Sequence, residues 1–163
     1  MNDAAYAGQT RGWRRFGIGA ALVLGAAVVQ AGDWTQWQGP DRNRMSKETG
    51  LLKEWPAGGP RLIWTTENPG TGDGARDVAG NRVCGQGARG DRSVVIALDR
   101  ADGREVWSKP LGPIETRMRS QRGAGPRSTP TVDGDRVYVL TENGDLACLK
   151  TDGTMVWQMN ILK

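Results

Sequence analysis

Gly85-Gln86-Gly87-Ala88-Arg89-Gly90 has the spacing G-x-G-x-x-G, which in a nucleotide-binding protein lets a backbone approach a pyrophosphate at a helix N-terminus. That chemistry requires the loop to open a helix. Here the following residues, DRSVVIALD, have a strand composition, so the stretch reads as a hairpin loop and its Arg89-Gly90-Asp91 triplet as chance. Between Glu115 and Arg127 the segment ETRMRSQRGAGPR carries Arg117, Arg119, Arg122 and Arg127. Four guanidiniums in one loop form a candidate ligand or partner surface for an anionic group, and a solvated loop is the competing reading. The chain has no histidine, which removes every scheme with an imidazole base or an imidazole zinc ligand. No residue is assigned as catalytic, cofactor-binding or metal-ligating.

The first 31 residues have the physical layout of an export signal. Arg11, Arg14 and Arg15 precede an uncharged stretch, FGIGAALVLGAAVV, from Phe16 to Val29, and Val29-Gln30-Ala31 supplies small residues for cleavage before Gly32. An uncleaved membrane anchor is the alternative, but the apolar stretch is short of the roughly 20 residues a span needs. The Arg14-Arg15 pair leaves both general and twin-arginine export open. Removing residues 1–31 takes away three Arg and one Asp and leaves 19 basic and 17 acidic residues, a net charge of +2. That balance gives no electrostatic case for nucleic acid or an anionic membrane. Membrane contact is expected only through the signal segment if it stays uncleaved. In an exported protein Cys84 and Cys148 could form a disulfide, and two buried thiols on strands are the other reading.

Positioning comes from a repeat. ALDRADGREVW at 97–107 and CLKTDGTMVW at 148–157 spell nearly one phrase, with Trp107 and Trp157 fifty positions apart. In the second copy Asp133-Gly134, Asn143-Gly144 and Asp152-Gly153 divide the chain into strands expected near 128–132, 135–141, 145–150 and 154–161, joined by type I′ turns. RVYVL and LACL are continuous apolar runs, as in strands covered on both faces. The last strand alternates, placing Met155, Trp157, Met159 and Ile161 on one face. The first copy repeats this with DVAG, RVCGQG, SVVIAL and EVWSKPL, and RLIWTTE around Trp64 reads as a lone outer strand. A period of 40–50 residues with four strands per unit predicts an all-β fold, a partial β-propeller of about two blades plus one outer strand.

ALDRADGREVW also resembles the docking motif A-x-D-x-x-T-G-K-x-x-W of quinoprotein-type β-propellers. Ala97, Asp99, Gly103 and Trp107 match, while Asp102 and Arg104 stand for threonine and lysine. The lead-in, Asp33 to Trp64, is similar to the start of secreted bacterial pyrroloquinoline-quinone (PQQ)-like repeat proteins. The resemblance implies that Trp64, Trp107 and Trp157 are structural, each packing between neighbouring blades. PQQ enzymes of the superfamily hold the cofactor and a calcium ion beside an adjacent-cysteine disulfide. This chain has no Cys-Cys pair and no acidic cluster like a calcium loop, so no cofactor is expected of it.

The expected organisation is a signal peptide at 1–31, an extended lead-in at 32–60 and PQQ-like repeats at 61–163. Two blades do not close a ring, so the expected partners are missing C-terminal blades of a longer protein or a second copy, with a further protein partner possible. The expected function is an exported, periplasmic or extracellular binding or assembly scaffold without its own catalytic site, as in the outer-membrane assembly lipoproteins of the family. Their lipidation cysteine does not follow the signal here. The alternative is the N-terminal part of a PQQ-dependent quinoprotein dehydrogenase, which would need PQQ and calcium.

Overall fold

Short β-branched runs separated by glycine turns build two antiparallel meanders in the computed structural model, which describes residues 32–67, 69–114 and 125–163. The first sheet contains β1 (Asp77–Ala79), β2 (Arg82–Arg89), β3 (Arg92–Asp99) and β4 (Glu105–Pro113). The second contains β5 (Thr131–Asp133), β6 (Arg136–Leu140), β7 (Asp145–Lys150) and β8 (Met155–Asn160). Each sheet pairs its strands in chain order. Among the described residues there is no helix. The expected signal segment lies outside them.

The turns differ from expectation in register. Asp133 pairs with Arg136, so the two-residue loop is Gly134-Asp135 rather than Asp133-Gly134. Only Gly134 in that loop has positive φ, at 56°, the pattern of a turn with glycine at its first central position. The other two turns are longer. Lys150 N–H donates to Thr154 O at 2.8 Å across the loop containing Asp152-Gly153, and Thr141 N–H to Asp145 O at 2.9 Å across the loop containing Asn143-Gly144. The glycine-rich stretch is also displaced from its expected place. Gly85 to Arg89 lie inside β2, and only Gly90 enters the turn to β3. Inner strands need close approach there: Gly87 faces the Gly70 backbone, and the Arg76 side chain crosses Gly85.

One apolar core lies between the sheets. Cys84, Val95, Ala97 and Leu111 of the first sheet meet Val132, Val137, Val139, Ala147 and Leu149 of the second. A second cluster, Val94, Ile96 and Leu98, covers the other face of the first sheet and is closed by Trp64 and Val83. Hence SVVIAL is buried on both faces, as its continuous pattern predicts. RVYVL is not: Val137 and Val139 are buried, but Tyr138 is half-buried and Leu140 is 36% exposed.

The segment around Trp64 forms no ladder among the described residues. It is therefore not the expected outer strand; its side chain, not its backbone, joins the first sheet. The lead-in instead crosses the inner edges of both sheets. Trp34 N–H donates to Val78 O at 2.7 Å, Val78 N–H returns to Trp34 O at 2.9 Å, and Val132 N–H donates to Thr35 O at 2.8 Å. Val78 and Val132 occupy the middle of the equivalent strands β1 and β5, so consecutive residues of the lead-in tie both sheets together.

Burial decides where substitutions matter. Leu149→Ala, in the core between the sheets, should destabilise the folded chain by about 2–5 kcal/mol. Leu162→Ala, at a side chain 73% exposed, should stay within about 0.5 kcal/mol. Urea unfolding monitored by tryptophan fluorescence measures both.

Candidate functional site: tryptophan docking between repeats

The repeated phrase places the same contact twice. Trp64 donates its indole N–H to Arg100 O at 2.9 Å, and Trp107 donates to Thr151 O at 2.9 Å. Arg100 and Thr151 are the first residues after β3 and β7. Three residues after Arg100, and two after Thr151, the loops present Gly103 and Gly153 to the indole faces. A Cβ at Gly153 would stand 2.8 Å from the Trp107 ring, and one at Gly103 would run into Trp64. Gly153 also has φ +87°, a conformation that costs an L side chain roughly 1–2 kcal/mol. Absence of a side chain thus serves both backbone and ring.

The loops themselves are braced alike. Arg100 N–H donates to Asn81 O at 3.2 Å and Thr151 N–H to Asp135 O at 3.0 Å, joining each docking loop to the first turn of its own sheet. Asp102 accepts Arg104 N–H at 3.0 Å and Asp152 accepts Thr154 N–H at 2.8 Å. Both backbone hydrogen bonds hold these carboxyls below their ordinary pKa.

A β-bulge aims each tryptophan. In the first sheet Ala97 pairs with Trp107 but Leu98 with Glu105; in the second Cys148 pairs with Trp157 but Leu149 with Met155. One extra residue, Val106 or Val156, therefore precedes each ring. The bulge corrects the expected alternation of β8: Trp157 and Met159 share a face with Cys148 and Leu146, whereas Met155 falls on the opposite face with Leu149. Trp157 is 40% exposed and meets Tyr138 at a ring-centroid distance of 6.4 Å.

Polar side chains that sequence patterning did not single out rim the contact between the sheets. Gln158 Nε2 donates to Leu111 O at 2.6 Å, Asn143 Nδ2 to Pro113 O at 2.7 Å, and buried Ser93 Oγ to Glu142 at 2.8 Å. Gln86 Nε2 donates to Ser128 O at 2.9 Å and Leu140 O at 3.2 Å. Gln86 lies inside the stretch that matched G-x-G-x-x-G, and its side chain fastens one sheet to the next. Cys84 and Cys148 are both buried free thiols. Burial, with the Asp77 charge adding to it, pushes Cys84 up to about 11.

Of the four arginines in the loop, Arg117, Arg119 and Arg122 lie outside the described residues. Arg127 pairs with Asp73 at 3.7 Å. An open cleft of about 550 Å³ lies at the other end of the sheets, lined by Asp33, Thr35, Asn81, Arg82, Gly134 and Asp152 among others. Asp33 there accepts Arg100 at 3.2 Å and Gly80 N–H at 2.9 Å. Among the described residues no group of three His, Cys, Asp or Glu is placed to hold a metal ion, and no helix is long and apolar enough to cross a membrane.

Four-stranded meanders that stack face to face, each tryptophan seated on the next repeat's loop, are successive blades of a β-propeller. A family model described as "Outer membrane protein assembly factor BamB" matches residues 91–162. Residues 91–162 are therefore PQQ-like repeat sequence. It is 32% identical over 105 residues to the outer membrane protein assembly factor BamB of Salmonella typhimurium, covering 63% of this chain and 26% of that protein. The chain thus spans about a quarter of the length of this curated relative. Similar solved structures include BamB from Moraxella catarrhalis, with a TM-score of 0.45, 22% identity, and 62% of this chain and 28% of that one covered. Another is a europium-containing methanol dehydrogenase, with a TM-score of 0.47, 18% identity, and 61% and 18% covered.

The docking geometry separates three substitutions. Trp107→Phe keeps most of the ring but loses the hydrogen bond to Thr151 O, and should cost about 1 kcal/mol. Gly153→Ala should cost more than that, since strain and ring displacement add. Trp157→Phe, at a ring without that hydrogen bond, should stay within about 0.5 kcal/mol. Chemical unfolding of the three variants against the parent chain provides the comparison.

Proposed function

We propose that this chain acts as an exported binding and assembly scaffold, taking part in the assembly of outer-membrane proteins through protein partners. The observation that carries the reading is the match of its repeats to an outer membrane protein assembly factor, at 32% identity over 105 residues. The tryptophans and glycines of the repeat shape the scaffold in this account, and no catalytic role is assigned to them. No cofactor is assigned either.

Two surfaces are offered to partners. The first is the arginine loop of residues 115–127, whose Arg117, Arg119, Arg122 and Arg127 suit an acidic protein segment. The second is the face of the second sheet carrying Trp157, Met159 and Tyr138. It repeats the face through which Trp107 seats the second sheet, and would take a further blade, whether on the same polypeptide or on a second copy. The signal-like segment supplies export, to the periplasm or beyond.

The test is co-purification of the full chain with outer-membrane protein assembly components from detergent-solubilised envelopes, with the fourfold Arg117, Arg119, Arg122 and Arg127→Ala variant alongside. Capture by the parent chain and a loss of at least several-fold in the variant is the expected result. Equal capture by both would remove the arginine loop from the account. No capture, combined with spectroscopic uptake of PQQ by the chain, would replace the scaffold with the quinoprotein reading.

A further inference from the structure

Asp77 on β1 is fully buried, and neither of its carboxyl oxygens has a hydrogen-bond partner. It stands opposite Cys84, which belongs to the core between the sheets. Directly paired residues share a face of a sheet, so the Asp77 carboxyl is turned toward the second sheet. Gln86 lies two residues beyond Cys84 on the same face of β2. It spends its amide nitrogen on Ser128 and Leu140, and its Oε1 is buried without a donor. Three buried acceptor atoms therefore share this face, and none has a donor.

The surrounding charges do not resolve the imbalance. Arg76, next in sequence, lies on the opposite face across Gly85, donating to Gly74 O, Gln86 O and Pro69 O at 3.2–3.4 Å. On β2, Cys84 is a neutral thiol, and Arg82 pairs with Asp99 at 3.6 Å. From β3 the same face presents Val95 and Ala97, and from β5 it meets Val132. Asp133 at the end of β5 is exposed. In the lead-in strap, Asp33 is engaged by Arg100 and Gly80 N–H.

We propose that Asp77 is a proton-operated latch on the contact between the two sheets: its protonated carboxyl donates to an acceptor on this face, Gln86 Oε1 being the orphan one, so that a bond within the first sheet holds the side chain that reaches Ser128 and Leu140, and its ionisation loosens the inter-sheet contact. A neutral carboxyl is one donor and one acceptor, so a single proton relieves two of the three orphan atoms. An ionised one leaves all three unpaired and adds a buried charge. This device is independent of the scaffold reading.

Burial alone raises Asp77 from 3.8 to about 7. Unfolded, the group releases its proton near 3.8; folded, it keeps it to about 7. Over that window the folded state binds the extra proton, so stability is full below about 4 and is lost as the pH rises to about 7. Asp102, Asp152 and Glu105, all held low, act in the opposite sense and only on the acid side of that window.

The test is thermal unfolding of the full chain and of Asp77→Asn between pH 5 and 8. Asparagine carries a permanent donor and no charge. The parent's melting temperature should fall as the pH rises, while the variant should lose most of that slope and melt several degrees higher than the parent at pH 8. Equal slopes in the two proteins would overturn the latch. As a second readout that needs no variant to fold, the Asp77 carboxyl carbon shift should titrate near pH 7. A midpoint near 4 would show that a water or cation already satisfies the ionised group, and would also overturn it.

Discussion

Everything in this architecture leans on one contact, an indole seated on a side-chain-free loop with its N–H on the loop's first carbonyl. Sheet-on-sheet burial is strong but non-directional, and apolar faces such as those of Val95, Ala97, Val137 and Leu149 could slide over one another. The Trp107 hydrogen bond to Thr151 O removes that freedom, because it is satisfied in only one register. The Trp64 contact with Arg100 O does the same between the lead-in and the first sheet. The polar rim of Gln86, Ser93, Asn143 and Gln158 then fixes the rest of the interface in the register that the indole sets.

The same constraint accounts for the local sequence. Gly103 and Gly153 must lack a Cβ because an indole lies over them. Asp102 and Asp152 precede them because their carboxylates hold the loop backbone. Val106 and Val156 are the extra residues of bulges that turn the following tryptophan to the required face. The phrase recurs at fifty residues because loop, bulge and ring form one device.

Much of this was legible in the chain itself. Glycine spacing, apolar runs and the paired tryptophans defined two four-stranded units, and seven of the nine expected strands overlap observed ones over most of their length; β5 overlaps its expected span only at Thr131 and Val132, and the outer strand expected around Trp64 does not form. What escaped has physical reasons. A bulge adds a residue without changing composition, so the alternation of Met155 and Trp157 pointed to one face where the ladder uses two. Asp133-Gly134 looks the same whether glycine is the first or second central residue of a turn, and only pairing with Arg136 distinguishes them. Trp64 fits a strand pattern, but its neighbours have no backbone partner among the described residues, and only its ring docks. Gln86 and Asp77 are polar residues in strands, where sequence expects solvent; the facing sheet buries them.

The most direct test of the docking account is hydrogen–deuterium exchange of the tryptophan indole N–H protons, resolved by two-dimensional NMR of the folded full chain. Trp64 and Trp107 should exchange far more slowly than Trp157, because both are held by loop carbonyls while Trp157 is 40% exposed. Rapid exchange of the Trp64 and Trp107 protons, at the rate of Trp157, would contradict the claim that these rings lock the repeats together.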